Sequence, residues 1–160
     1  MKRVFALVLT SGALMLLPVA LASPAMAATT VPISMTFTES APAAHSGCDL
    51  ATSSCGHGQV RPFGQATENI VFGAACGGSC DFRTINLAGG SIFIDEVFSN
   101  PTCHGVCQPN PAFPFSGTLT DTIVGGTETF ANASGTLSGS VTAAGQAAMI
   151  KLSGTITLAT

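Results

Sequence analysis

The chain has neither tryptophan nor tyrosine, and only 8% of its 160 residues are charged. Membrane-spanning β-barrels place rings of these two aromatic residues at both lipid interfaces, so their absence argues against such a barrel. The five lysine and arginine residues form no basic patch, which makes nucleic acid or an anionic membrane surface a poor partner. The sequence also lacks GxSxG, HExxH and phosphate-binding glycine motifs, so it carries none of these catalytic signatures.

Residues 1–27 have the features of a secretory signal peptide. Two basic residues precede an apolar run over residues 4–21, and AMA at residues 25–27 provides a small-x-small cleavage site. We expect cleavage after Ala27 and export of a product that does not insert into the membrane, into the extracellular space or the periplasm of a bacterium. Residues 28–160 then suit a single domain with an adequate core.

Six cysteines, all after residue 27, indicate disulfides, because their number is even and the chain is predicted to be exported. The sequence allows several connectivities, and pairing between neighbours along the chain is the one we favour. The predicted local pairs are Cys48 with Cys55, Cys76 with Cys80, and Cys103 with Cys107. Their expected role is to pin irregular loops.

Alternating apolar and polar residues predict β-strands throughout residues 28–160. The pattern is clearest at residues 148–158, which follow a similar run at residues 136–142 and a four-residue hairpin loop. The other predicted strands are residues 33–38, 69–72, 82–87 and 91–98, the last two joined at Gly89-Gly90. Two polar stretches rich in glycine or proline, residues 42–62 and 100–114, are predicted to be loops.

These patterns give about seven or eight strands and no helical period. The predicted fold class is therefore all-β. A closed antiparallel barrel or a sandwich is favoured over an open sheet, because closure removes exposed strand edges.

Residues 125–135 read GGTETFANASG, and this stretch resembles the GGTGxFxGATG signature of secreted proteins with the allene oxide cyclase and dirigent type of β-barrel. The matching positions are Gly125, Gly126, Thr127, Phe130, Ala131, Ala133 and Gly135. Glu128 and Asn132 stand where that pattern has glycine, and Ser134 where it has threonine. The resemblance implies a single barrel of about eight strands, a glycine turn with Phe130 plugging the barrel end, and a tendency to form homo-oligomers. It carries over no catalytic residue.

Three residues are weak catalytic candidates: Asp95, Glu96 and His104. Adjacent residues of a strand point to opposite faces, so Asp95 and Glu96 cannot act as a pair. Whichever faces a barrel interior would have a raised pKa and could serve as a general acid. The alternative is that either one simply lies on the wet face of an edge strand. The nearby Arg83 and Asp81 are predicted to form a surface pair.

The histidines and cysteines allow two further interpretations. His45, His57 and His104 lie in the cysteine-bearing loops, and they could form a site if those loops gather at one barrel mouth. Otherwise they are solvated loop residues. His104 and the last four cysteines could instead ligate zinc. Export favours disulfides, so we predict neither a metal nor another cofactor.

The predicted function is that of an exported, non-catalytic β-barrel. It would bind a small apolar molecule in its interior, or present its disulfide-pinned loops to another surface. One alternative is a cyclase-like or isomerase-like enzyme with a carboxylate or histidine at the barrel mouth. The other is a metal-binding envelope protein.

Overall fold

The computed structural model describes residues 27–40, 53–103, 114–144 and 147–159. Nearly all of these residues lie in eight β-strands, which are joined by short turns or by segments outside the described residues. The strands are β1 (Thr29–Ser40), β2 (Ser53–Arg61), β3 (Gly64–Ala75), β4 (Cys80–Leu87), β5 (Gly90–Cys103), β6 (Phe115–Gly126), β7 (Ser134–Ala144) and β8 (Ala147–Leu158). Two 3-10 turns, Cys76–Gly78 and Glu128–Phe130, lie between strands.

The strands form a closed antiparallel barrel in which each strand pairs with the next along the chain. Closure comes from β1 and β8, which pair without interruption from Thr29 opposite Leu158 to Ser40 opposite Ala147. This arrangement leaves none of the described strands at an open edge. The predicted all-β class and the eight-stranded antiparallel barrel are confirmed.

Alternation along the strands separates a filled interior from a polar exterior. On β1, Ile33, Met35 and Phe37 are buried, while Ser34 and Thr36 between them are exposed. The predicted hairpin of the last two strands is confirmed as β7 and β8, and the hairpin at Gly89-Gly90 as β4 and β5. Threonine and serine suit the outer face because β-branched and hydroxyl side chains pack well on a pleated surface and still bind water.

The prediction of a loop over residues 42–62 is wrong for its last part, because residues 53–61 form β2. The strand was missed because two of its inward positions, Gly56 and Gly58, carry glycine instead of apolar side chains. A Cβ atom at Gly58 would lie 2.7 Å from Cδ1 of Phe37 on β1. Glycine at this position therefore makes room for the Phe37 ring.

The predicted loop at residues 100–114 also begins too early, since β5 continues to Cys103. Pro101 is accommodated because the pairing of β5 with β6 shifts register between Ser99 and Thr102. A proline is tolerated at such a bulge, where its missing N–H leaves no ladder hydrogen bond unmade.

Connections alternate between the two ends of an up-and-down barrel, and the two ends differ. We call the end with the β2–β3, β4–β5 and β6–β7 turns the base, and the opposite end the mouth. Phe130 turns inward at the base, where it is buried edge-to-face against Phe63 with ring centroids 5.1 Å apart. The inward orientation expected of Phe130 is thus confirmed. Glycine is required at Gly126, where a Cβ would lie 2.1 Å from the backbone oxygen of Ser91 and 2.7 Å from Cβ of Phe130.

Candidate functional site

The barrel interior changes character from base to mouth. Near the base it is filled by aliphatic and aromatic side chains, among them Ile85, Ile92, Ile123 and Phe130. Toward the mouth, five ionisable side chains replace apolar ones at inward positions. They come from five strands: Glu39, Glu68, Arg83, Glu96 and Asp121, all of them buried.

Arg83 is the centre of this cluster, and its side chain is fully buried. It lies opposite Ile70 on β3 and Ile94 on β5, so its diagonal neighbours are Glu68 toward the base and Glu96 toward the mouth. Its Nη1 donates to Oε2 of Glu68 and its Nη2 to Oε2 of Glu96. Its Nε also donates to Oε2 of Glu96, at 2.9 Å. All three guanidinium nitrogens are thereby engaged with carboxylates of the two neighbouring strands.

The prediction of a surface pair between Arg83 and Asp81 is wrong. Both residues point inward, because they are two positions apart on β4. Asp81 lies closer to the mouth and is half-buried, and its Oδ1 accepts a hydrogen bond from the backbone N–H of Gly73 at 2.8 Å.

Burial shifts the protonation equilibria of the cluster. It raises the pKa of Glu68 to about 8, although Arg83 acts in the opposite direction. Burial and the facing carboxylate of Glu96 raise the pKa of Asp121 to about 7. Burial also raises the pKa of Glu96, again opposed by Arg83. Near neutral pH the cluster therefore retains protons that exposed carboxylates would release.

Burial alone would lower the pKa of the Arg83 guanidinium, but the surrounding carboxylates outweigh this effect and raise it. Arg83 therefore stays protonated near neutral pH. The cluster thus combines one permanent positive charge with the carboxyl groups of Glu68, Glu96 and Asp121, which keep their protons to a higher pH than exposed carboxyl groups do.

Two carboxyl groups of the cluster have oxygen atoms without a hydrogen-bond partner among the described residues. One is Oε1 of Glu39, whose other oxygen accepts a hydrogen bond from the Ser54 hydroxyl. The other is Asp121, whose two carboxyl oxygens both lack a hydrogen-bond partner among the described residues. Unpartnered buried oxygens are costly, so their presence at an interior site calls for a physical reason.

A cavity of about 260 Å³ lies between the ionisable cluster and the mouth. Its walls are mostly apolar, and its polar lining comes from four side chains, Glu39, Asp81, Arg83 and Glu96. The apolar lining residues are Ile70, Phe72, Phe98, Phe115, Leu119, Val141, Ala148 and Ile150. The volume is just below the about 300 Å³ at which typical small-molecule sites begin.

The structure separates the catalytic candidates of the sequence. Glu96 points inward and lines the cavity, whereas Asp95 points outward and is half-exposed, as expected for neighbours in a strand. His57 is exposed on the outer face of β2. His45 and His104 lie outside the described residues.

Sequence reasoning missed Glu39, Glu68, Arg83 and Asp121 as site residues. A signal for two of them was present in the alternation. Glu39 continues the inward series of Ile33, Met35 and Phe37, and Asp121 stands between Leu119 and Ile123. A charged residue at a position where the alternation predicts an apolar one either ends the strand or is buried in the interior. Glu39 and Asp121 are buried in the interior.

The disulfide whose two partners the structure describes lies at the mouth, because Cys76 follows the end of β3 and Cys80 begins β4. Cys76 and Cys80 form a disulfide with Cα atoms 5.4 Å apart, which confirms one local pair and rules out these two thiolates as metal ligands. Cys55 is buried and disulfide-bonded. Cys48 and Cys107 lie outside the described residues, as does the side chain of Cys103. The described part of the chain contains no group of three or more His, Cys, Asp or Glu side chains arranged to hold a metal ion.

Within the described ranges, no helix has the length and apolar character needed to cross a membrane. Comparisons of the chain with protein-family models, with curated proteins and with solved structures find no match. The mouth cavity and its ionisable cluster are therefore the basis for assigning a function.

Proposed function

We propose that this barrel is an exported, non-catalytic binding protein that holds a small, predominantly apolar molecule in its mouth cavity. The observation that carries the proposal is the contrast within one interior: a base packed with side chains, and a mouth with a cavity of about 260 Å³. A closed barrel that only needed stability would have its interior filled at both ends.

The cavity walls suit an apolar ligand. Phe98 and Phe115 stand edge-to-face with ring centroids 6.2 Å apart, and Leu119 and Ile150 continue the apolar surface inward. Phe98 is 41% exposed although it occupies an inward position near the mouth. An exposed aromatic side chain at a cavity is typical of a surface that a ligand covers.

The arrangement of the cluster favours binding over catalysis. A general acid must present its proton to the substrate, and Glu96 instead directs one oxygen at Nε and Nη2 of Arg83. The cyclase-like alternative is supported by one observation, namely that Glu96 lines the cavity and burial raises its pKa. The two functions differ in the fate of the bound molecule. A binding protein releases it chemically unchanged, whereas an enzyme converts it.

Binding is tested by titrating hexanol into the protein and following the backbone amide signals by NMR. We expect saturable shifts in residues of the cavity walls. Ala148→Phe fills the cavity from β8 and should abolish them. Its matched control is Ala147→Phe, one residue earlier on β8 and exposed, which should leave binding unchanged. Equal binding to both variants would contradict the proposed site.

Catalysis is tested on molecules extracted from the protein after expression and export. Mass spectrometry before and after incubation with fresh protein should find them unaltered if the barrel is a binding protein. Conversion that disappears in Glu96→Gln but persists in Asp95→Asn would instead support the enzyme.

A further inference from the structure

We infer that the molecule held in the mouth cavity is a small organic cation, an ammonium group on an apolar body, and that Glu39 binds the ammonium. This inference rests on the proposed function and adds the chemical class of the ligand. Three features of the cavity support it: its charge, an unpartnered carboxylate oxygen and its aromatic lining.

The charged lining of the cavity is mainly acidic. Glu39, Asp81 and Glu96 face it, and Arg83 is the one basic residue among its lining side chains. The guanidinium offsets this only weakly for a ligand, because three of its five N–H groups already donate to Glu68 and Glu96. An anionic ligand would therefore meet carboxylates and find an occupied guanidinium, whereas a cation would be attracted.

Glu39 has the geometry of a ligand-binding carboxylate. Its exposed fraction is 8%, it lines the cavity, and its Oε1 has no hydrogen-bond partner among the described residues. The Ser54 hydroxyl donates to its other oxygen and so holds the carboxylate in place. A donor from the ligand would satisfy Oε1, and an ammonium group is the donor that also complements its charge.

Aromatic rings complete the cavity on the side toward solvent. Phe72, Phe98 and Phe115 all contribute to its lining. The faces of such rings are electron-rich and attract an alkylammonium group, while their area also covers the apolar part of a ligand. The volume of about 260 Å³ limits the ligand to one smaller than a typical drug-sized molecule.

The test compares three probes of equal chain length, hexylammonium, hexanol and hexanoate, by calorimetric titration of the full exported protein. We expect hexylammonium to bind about tenfold or more tightly than hexanol, as one charge-assisted hydrogen bond provides. Hexanoate should bind most weakly. Glu39→Gln should reduce the advantage of hexylammonium over hexanol to less than about threefold. Asp95→Asn, which removes an outward-facing carboxylate, should leave all three affinities as they are.

The outcomes separate this inference from the proposed function. Hexanol binding as tightly as hexylammonium, or hexanoate binding most tightly, would overturn the cation assignment and leave the apolar binding function standing. Binding of none of the three probes to the wild-type protein would overturn both. A preference for hexylammonium that survives Glu39→Gln would contradict the role given to Glu39.

Discussion

The two ends of this barrel are built from the same strands but filled in different ways. At the base, Phe130 and Phe63 close an interior of aliphatic side chains. At the mouth, the same inward register carries carboxyl groups around Arg83 and leaves a cavity. The alternation of a strand therefore determines which side chains enter the barrel. The chemistry of those side chains determines whether the interior is packed or forms a site.

We expect the largest loss of stability when the positive charge of Arg83 is removed from among the carboxyl groups at the mouth. Arg83→Met would leave Glu68 and Glu96 buried without their partner, and should lower the free energy of unfolding by about 3–5 kcal/mol at neutral pH. Urea denaturation measures this loss. Arg61→Met removes an exposed cation from β2 and should cost less than about 0.5 kcal/mol. A small loss for Arg83→Met would mean that the cluster does not hold the mouth together.

Truncating the Phe130 side chain tests how much packing at the base contributes to stability. Phe130→Ala removes a buried ring from a packed site and should cost about 3 kcal/mol, because the surrounding strands cannot collapse into the space. Phe72→Ala at the mouth removes a ring that is 63% exposed and should cost less than about 1 kcal/mol. Thermal or urea unfolding distinguishes the two. Equal losses of unfolding free energy in the two variants would contradict the contrast between a packed base and an open mouth.

The mouth should also make stability depend on pH. The pKa values of Glu68 and Asp121, about 8 and about 7 in the folded barrel, exceed the ordinary values of 4.5 and 3.8 expected when unfolded. These two groups thus bind more protons in the folded state, so the stability they contribute is fully present below the ordinary values and is lost as pH rises through about 7 and about 8. Each group contributes a slope of up to about 1.4 kcal/mol per pH unit.

Asp121→Asn should flatten this decline between pH 4 and 7, because asparagine resembles the protonated acid. Asp95→Asn, on the outer face of β5, should leave the decline as in the wild type. Urea denaturation at a series of pH values provides the measurement. A wild-type stability that increases from pH 5 to pH 8 would contradict the buried acid cluster.

The smallest effect concerns the turn at the base. Glu128 adopts a left-handed backbone with φ 51°, at a position where the motif it resembles has glycine, whereas Asn132 is not among the described residues with positive φ. Glu128→Gly should therefore raise the free energy of unfolding by about 0.5–1 kcal/mol by relieving strain. Asn132→Gly should lower it slightly, since glycine there only adds freedom to the unfolded chain. Denaturation curves showing the opposite order would refute this account of the turn.

Much of the fold was predictable from sequence because the outer wall is regular. Residues 148–158 alternate without a break, and the Gly89-Gly90 turn marks its hairpin. The strand β2 was not predictable in this way, because Gly56 and Gly58 stand at its inward positions and remove the apolar signal. A Cβ would meet Glu68 at Gly56, and the Thr36 carbonyl and the Phe37 ring at Gly58. These contacts depend on pairing across strands.

The candidate site was predictable only in part. The opposite orientations of Asp95 and Glu96 follow from strand geometry alone. The ion pairs of Arg83 do not, because they need the register that places Glu68 and Glu96 diagonally across two strands. The sequence spacing of 15 and 13 residues between Arg83 and these partners carries no such information.

The central claim is that the mouth, and not the base, receives a ligand. Intermolecular NOEs between hexanol and the methyl groups of isotope-labelled protein test it directly. We predict NOEs to Leu119 and Ile150 in the cavity wall, and none to Ile92 and Ile123 in the base. NOEs to the base methyl groups, or to the outward-facing Val124 and Met149, would contradict the account.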